Sequence, residues 1–199
     1  RDAVENAAWP VVKNKIFEEA TEIFLRLLRG EILSSDKVTP RSLRRADFRK
    51  DEDWQRVIDA HGGAADEIPL APRWSFPNLK IVPQESRMDL LRLSIGSHDA
   101  ATQIFANTLL PVGVFNLSIT PGDEIEQTNT RMRTHYHPDG GPWQRRLMPR
   151  TVLVFINDDA QKAREEAQDA LSNYWRALEG TLDEEKVRRA TNNALVGDA

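Results

Sequence analysis

Leu91-Arg92-Leu93-Ser94-Ile95-Gly96-Ser97-His98-Asp99-Ala100-Ala101 reads as a strand, a turn and the start of a helix. Leu91 to Ile95 is a strand candidate, and from Ala100 onward Ala100, Ala101, Ile104, Phe105 and Leu109 recur at helical spacing. Downstream, Val112-Gly113-Val114-Phe115-Asn116-Leu117-Ser118-Ile119 is a further strand, and Thr120-Pro121-Gly122-Asp123 offers a helix cap with proline at the first helical position. The helix that follows turns Ile125, Met132 and Tyr136 inward, and His137 to Pro142 is a loop. Thr151 to Ile156 is the most hydrophobic run in the chain, the pattern of a strand buried on both faces, as in parallel sheets. Asn157 or Asp158 then caps a helix carrying Ala160, Ala163, Ala167, Leu171, Tyr174, Trp175 and Leu178, which Gly180 ends. Thr181 and Glu184 form a capping box that starts another helix through Val187, Ala190 and Ala194. Upstream, Leu79-Lys80-Ile81-Val82 is a short strand candidate stopped by Pro83.

Strand–helix alternation of this kind predicts an α/β protein with βα units and a mostly parallel sheet, either doubly wound or closed as a (β/α) barrel. A barrel takes about 250 residues, and this sequence has 199, begins with Arg1 and has its first methionine at Met88. The expectation is a piece of a longer protein, hence an incomplete barrel. Nearer the start, Ile16, Phe17, Ala20, Ile23, Phe24, Leu27 and Leu28 form one stripe of a helix, with Pro10 suited to its first turn, Glu22 and Arg26 paired one turn apart, and Gly30 as its stop. Residues 34–78 carry no strong period and read as an irregular excursion. There Arg41, Arg44, Arg45, Arg49, Lys50 and Arg56 are interleaved with Asp47, Asp51, Glu52, Asp53 and Asp59, the composition of a solvated helix or, as a sharper reading, a phosphate clamp. His61-Gly62-Gly63 reads as a helix end and turn.

The formal net charge of −4 argues against a nucleic-acid binder held by bulk charge. No run approaches the roughly 18 apolar residues of a membrane helix. With no cysteine, disulfides, thiolate nucleophiles and Cys-ligated metals are excluded, and a reducing, cytoplasmic setting fits. Walker, G-x-G-x-x-G and G-x-S-x-G patterns are lacking.

Gly96-Ser97-His98 is the pattern with a chemical mechanism. Between a strand and a helix, Gly96 lets backbone approach a ligand, Ser97 offers a hydroxyl, and the amides of the helix start face a phosphate with the positive end of the dipole. The alternative is a turn and N-cap. His135 and His137 share a face only on a strand, and their region reads helical, so no metal site is expected. The tryptophans read as core or interface residues.

These segments, taken in order, resemble the later part of the bacterial luciferase-like, flavin-dependent monooxygenases. The resemblance rests on Leu27-Leu28-Arg29-Gly30-Glu31, Trp74-Ser75-Phe76-Pro77, Ile81-Val82-Pro83-Gln84, Leu91 to Ser97 with Ala100-Ala101, and Leu110-Pro111-Val112-Gly113. Val152 to Ile156, leading into Asn157-Asp158-Asp159-Ala160, matches in type. It implies a TIM-like (β/α) barrel in which residues 1–199 form one domain, the C-terminal portion of the barrel. It also implies reduced FMN (or a deazaflavin) as cofactor, O2 and a small organic substrate such as an aldehyde, and pairing of the chain with itself. Carried over by position, the flavin phosphate falls to Gly96, Ser97 and the amide of His98; His98 stands where many relatives have a second Ser or Gly. The early strands that supply the catalytic base in that family have no counterpart here, so no catalytic residue is assigned. The rival readings are a non-catalytic flavin-binding or partner subunit of the same fold, and a deazaflavin-dependent oxidoreductase.

Overall fold

The structure is a computed structural model that describes residues 1–83, 87–178, 188 and 194–197. Its contacts fall into two units, Arg1–Leu91 and Arg92–Ala199.

In the first unit, Asp2 caps α1 (Ala3–Ala7) by accepting from the Glu5 amide at 2.8 Å. α2 (Trp9–Leu28) follows with Pro10 in its first turn, where a missing N–H leaves no bond unmade. Gly30 follows its end at φ +84°, a conformation only glycine adopts without strain. The buried face of α2 differs from the predicted stripe. Val12, Glu19, Glu22, Ile23 and Leu25 are buried, whereas Phe17 and Phe24 are 42% and 55% exposed. The cause is what packs on the helix: loop backbone with amides that need acceptors. Glu19 accepts from the Arg73 amide at 3.0 and 3.2 Å, and Glu22 from the Thr39 amide at 3.1 Å.

Residues 34–78 are more regular than their periodicity predicts. β1 (Ser42–Arg44) pairs antiparallel with β2 (Glu67–Pro69), Leu43 opposite Ile68, and α3 (Asp51–His61) lies between them in sequence, stopped by Gly62 at φ +87°. Leu43, Val57, Ile68 and Phe48 join Ala8 and Val12 in one core, with Trp54 packed on Phe48. The arginines meet carboxylates here: Arg41 pairs with Glu22, Arg44 with Glu67, Arg45 with Asp51 and Arg56 with Asp53. Four of the six cations are thereby engaged by carboxylates, Arg41 with the buried Glu22 and the other three at the surface. Leu79 to Val82 form no strand. Leu79 makes one antiparallel bridge to Leu33, and Pro77 and Pro83 deprive the flanks of donors.

In the second unit, β3 (Leu93–Ile95) and β4 (Val112–Val114) pair in parallel, Leu93 opposite Val112 and Ile95 opposite Val114. A parallel pair needs a crossover, and α4 (Ala100–Leu109) supplies it. β4 stops five residues before the predicted strand end at Ile119. Thr120 closes a turn there: its hydroxyl accepts from the Leu117 amide at 3.0 Å and its own amide donates to the Leu117 carbonyl at 3.0 Å. α5 (Gly122–His135) buries Ile125 and Met132. The Leu147 carbonyl lies where a side chain at Gly113 would go, so only glycine fits that point of β4.

β5 (Val154–Ile156) and β6 (Leu195–Gly197) also pair in parallel, with α6 (Ala160–Leu178) against both. The predicted two-sided burial of this strand is not what the structure has. Val154 and Ile156 are 52% and 62% exposed, because β5 has one strand neighbour among the described residues, while α6, which packs on β5, buries its own Ala163, Ala167 and Leu171. Asp159, rather than Asn157 or Asp158, caps α6, accepting from the Gln161 amide at 2.7 Å. Gly180, Thr181, Glu184, Val187 and Ala190 lie outside the described residues, as do the side chains of Trp175 and Leu178. The architecture is mixed α/β with two-stranded sheets, and no described helix is long and apolar enough to cross a membrane.

Candidate functional site

The turn at 96–98 is held at the carboxyl end of β3, where the buried Ile95 presents its carbonyl to the Phe115 amide at 2.9 Å. That bond fixes the strand end, so the next three residues leave the sheet at a defined point. Gly96 and His98 are exposed and Ser97 is half-buried. A Cβ on Gly96 would meet no atom within 4 Å, so the space beside it is open. Among the described residues, the amides of Gly96, Ser97 and His98 donate to no protein acceptor.

The following helix start is not bare. Asp99 caps α4, its Oδ2 accepting from both the amide and the hydroxyl of Thr102 at 2.7 Å. The Ser97 hydroxyl accepts from the Asp99 amide at 3.2 Å and keeps its own proton to donate. The sequence reading of Gly96, Ser97 and His98 passed over Asp99, although an Asp directly before a helical Ala-Ala pair is an ordinary capping signal. Its carboxylate places one negative charge at the edge of the turn.

Beneath the turn lies a polar layer that helical periodicity did not indicate. The most buried face of α4 is Thr102, Gln103, Ala106 and Asn107 rather than the predicted Ala101, Ile104 and Phe105. Strand ends and turn carbonyls abut that face, and a buried carbonyl needs a donor. Gln103 Nε2 donates to the Ser97 carbonyl at 2.7 Å, and Arg131 on α5 donates to Gln103 Oε1 at 2.6 Å and to the Thr128 hydroxyl at 3.0 Å. Asn107, one turn on, donates to the Gln103 and Val112 carbonyls at 3.0 Å and accepts from the Val112 amide at 3.1 Å, which ties α4 to β4. The signal in the sequence was Gln103 and Asn107 at i and i+4, two amides on one helix face.

Of the two histidines, His137 serves the backbone. His135 is exposed at the end of α5, and His137 Nδ1 accepts from the Asp139 amide at 3.2 Å. Among the described residues no group of three acidic or imidazole side chains is arranged to hold a metal. Tyr136 packs edge-on against Trp143 with ring centres 5.1 Å apart. Burial pushes its phenol up, against the pull of Arg92 and Arg146. Trp143 donates to Asn129 at 3.0 Å, the use of an indole in packing rather than in stacking on a base.

No protein-family model and no curated protein matches this chain. Among solved structures it is similar to monooxygenase RslO1 from Streptomyces bottropensis, with a TM-score of 0.50 and 22% identity over 83% of this chain and 48% of that one. A likeness at this identity speaks to the fold, and the chain spans about half the length of that protein.

Proposed function

We propose that this chain carries the flavin-phosphate turn of a luciferase-like, flavin-dependent monooxygenase, and that β3–α4–β4 is part of a (β/α) barrel. Gly96, Ser97 and His98 surround the phosphate of FMN. The observation that carries the reading is the turn itself: three amides without protein acceptors, an open face beside Gly96 and a hydroxyl with a free proton, all at the carboxyl end of a parallel strand. That is the edge where βα-folds hold their ligands. The fold likeness to a monooxygenase supports the same reaction class.

The turn fits a phosphate on its loop amides more than on the helix start, because Asp99 already occupies the Thr102 amide. The chain's own tasks are to hold the phosphate, orient the ring and exclude water. When bound, reduced flavin supplies the activation of O2 that oxidises a small organic substrate such as an aldehyde. FMN titration by fluorescence quenching, followed by oxygen uptake with reduced FMN and an aliphatic aldehyde, tests the reading. Binding with aldehyde-dependent uptake is expected. Binding without uptake points to the flavin-binding partner subunit, and absence of FMN binding overturns the proposal.

The Asp99 charge gives a finer expectation. Asp99→Asn keeps a capping oxygen and removes a negative charge beside the phosphate. FMN affinity should rise about threefold, roughly 0.7 kcal/mol, the scale of one exposed charge contact. Isothermal titration at low salt measures it, and an unchanged affinity would put the phosphate away from Asp99.

A further inference from the structure

We propose that Gln103 and Arg131 are positioning residues for the 96–98 turn: Arg131 fixes the Gln103 carboxamide, which clamps the Ser97 carbonyl and aims the His98 amide at a bound phosphate. The role rests on the reading of the turn as a phosphate site.

The argument begins with donors and acceptors. Arg131 has only donors, so the oxygen of the Gln103 amide faces it at 2.6 Å. That choice leaves the Gln103 NH2 for the Ser97 carbonyl, which can only accept, at 2.7 Å. Gln103 is 1% exposed, so its amide has no water to turn toward. The orientation of one side chain is therefore dictated from both ends.

The consequence lies in the peptide that follows. In a trans peptide the carbonyl and the N–H point in opposite directions, and the bond from Ser97 to His98 is trans. A Ser97 carbonyl drawn toward Gln103 directs the His98 N–H the other way. The same hydrogen bond polarises the peptide, and it is polarised in turn by the guanidinium behind it. Chains of this kind strengthen each member in a low-dielectric interior. No carboxylate pairs with Arg131 among the described residues, and its Nε is buried without an acceptor. Its positive charge is thus left to act through the amide on the turn.

A merely structural residue would affect every flavin alike, so the test compares FMN with riboflavin, which lacks the phosphate. In Gln103→Leu the preference for FMN over riboflavin should fall about fivefold, the size of one ordinary hydrogen bond, with riboflavin affinity unchanged. Arg131→Lys keeps a donor to Gln103 Oε1 and should retain most of the preference. If Gln103→Leu does not fold, Gln103→Met, an unbranched chain of similar length without a donor, takes its place. A folded variant that keeps the parent preference overturns the role, and so does an equal loss for both flavins. A parent that binds FMN no better than riboflavin overturns the phosphate reading and this role together.

Discussion

Glu22→Ala should destabilise the Arg1–Leu91 unit by about 3 kcal/mol, the low end of what removing one partner of a buried ion pair does. Glu22 is 3% exposed and is the acceptor on which a whole layer converges. It takes hydrogen bonds from the Thr39 amide and hydroxyl, from Arg26 at 3.0 Å and from Arg41 at 2.9 Å. Without it, two partly buried guanidiniums each lose one acceptor and the Thr39 amide loses its side-chain acceptor at once. Arg41 keeps the Thr39 carbonyl at 2.8 Å and Glu18 at 3.6 Å, neither of which replaces the buried carboxylate. Burial pushes the Glu22 carboxyl up, but the bonds from Thr39, Arg41 and Arg26 outweigh it and hold it below the ordinary range. A lowered folded value stabilises the fold above the unfolded carboxylate value of about 4.3, and that contribution is lost as pH falls through the folded value. Urea unfolding followed by circular dichroism should therefore show the full difference between parent and Glu22→Ala at pH 7 and a shrinking one below pH 4. Equal midpoints at pH 7 would remove Glu22 from the account of this unit.

The same residue illustrates what the sequence did not disclose. The helix at Trp9–Leu28, its proline start, its Glu22–Arg26 pair and its glycine stop were all legible, because each is a local choice between neighbouring residues. Which face is buried was not, since it depends on loops far along the chain that bring bare amides to Glu19 and Glu22. Phe17 and Phe24 keep the predicted period and yet face outward. In the second unit the order strand, turn, helix, strand at 93–114 was readable from the change of period. The length of β4 was not, because the Thr120 turn needs a side-chain hydrogen bond that no period encodes. β5 is apolar enough to be buried twice over, but burial depends on neighbours, and β6 is the one strand beside it among the described residues.

For the turn at 96–98, the sequence points to three consecutive residues and not to the side chains that shape their turn. Gly96, Ser97 and His98 stand together because they are consecutive. Asp99, Gln103 and Arg131 act on them through contacts 2, 6 and 28 positions apart. Only the first two of these separations fall within a turn or two of helix, where a pattern could reveal them. Arg131 arrives from another helix and has no signature in the sequence beyond its charge.

Ser97→Asp is the substitution with the largest expected effect on ligand binding. Ser97 has a hydroxyl proton to donate and an amide without a protein acceptor among the described residues. An aspartate there replaces a donor with a second carboxylate beside Asp99, in a chain whose net charge is already −4. A phosphate dianion seated at the turn would meet like charge in place of a donor. Affinity for FMN should fall at least about tenfold, roughly 1.4 kcal/mol, while riboflavin, with no phosphate, should bind as before. Fluorescence titration of parent and Ser97→Asp with both flavins reads this directly. The account predicts a loss confined to FMN; an FMN affinity equal to that of the parent would contradict it and place the phosphate, if any is bound, elsewhere.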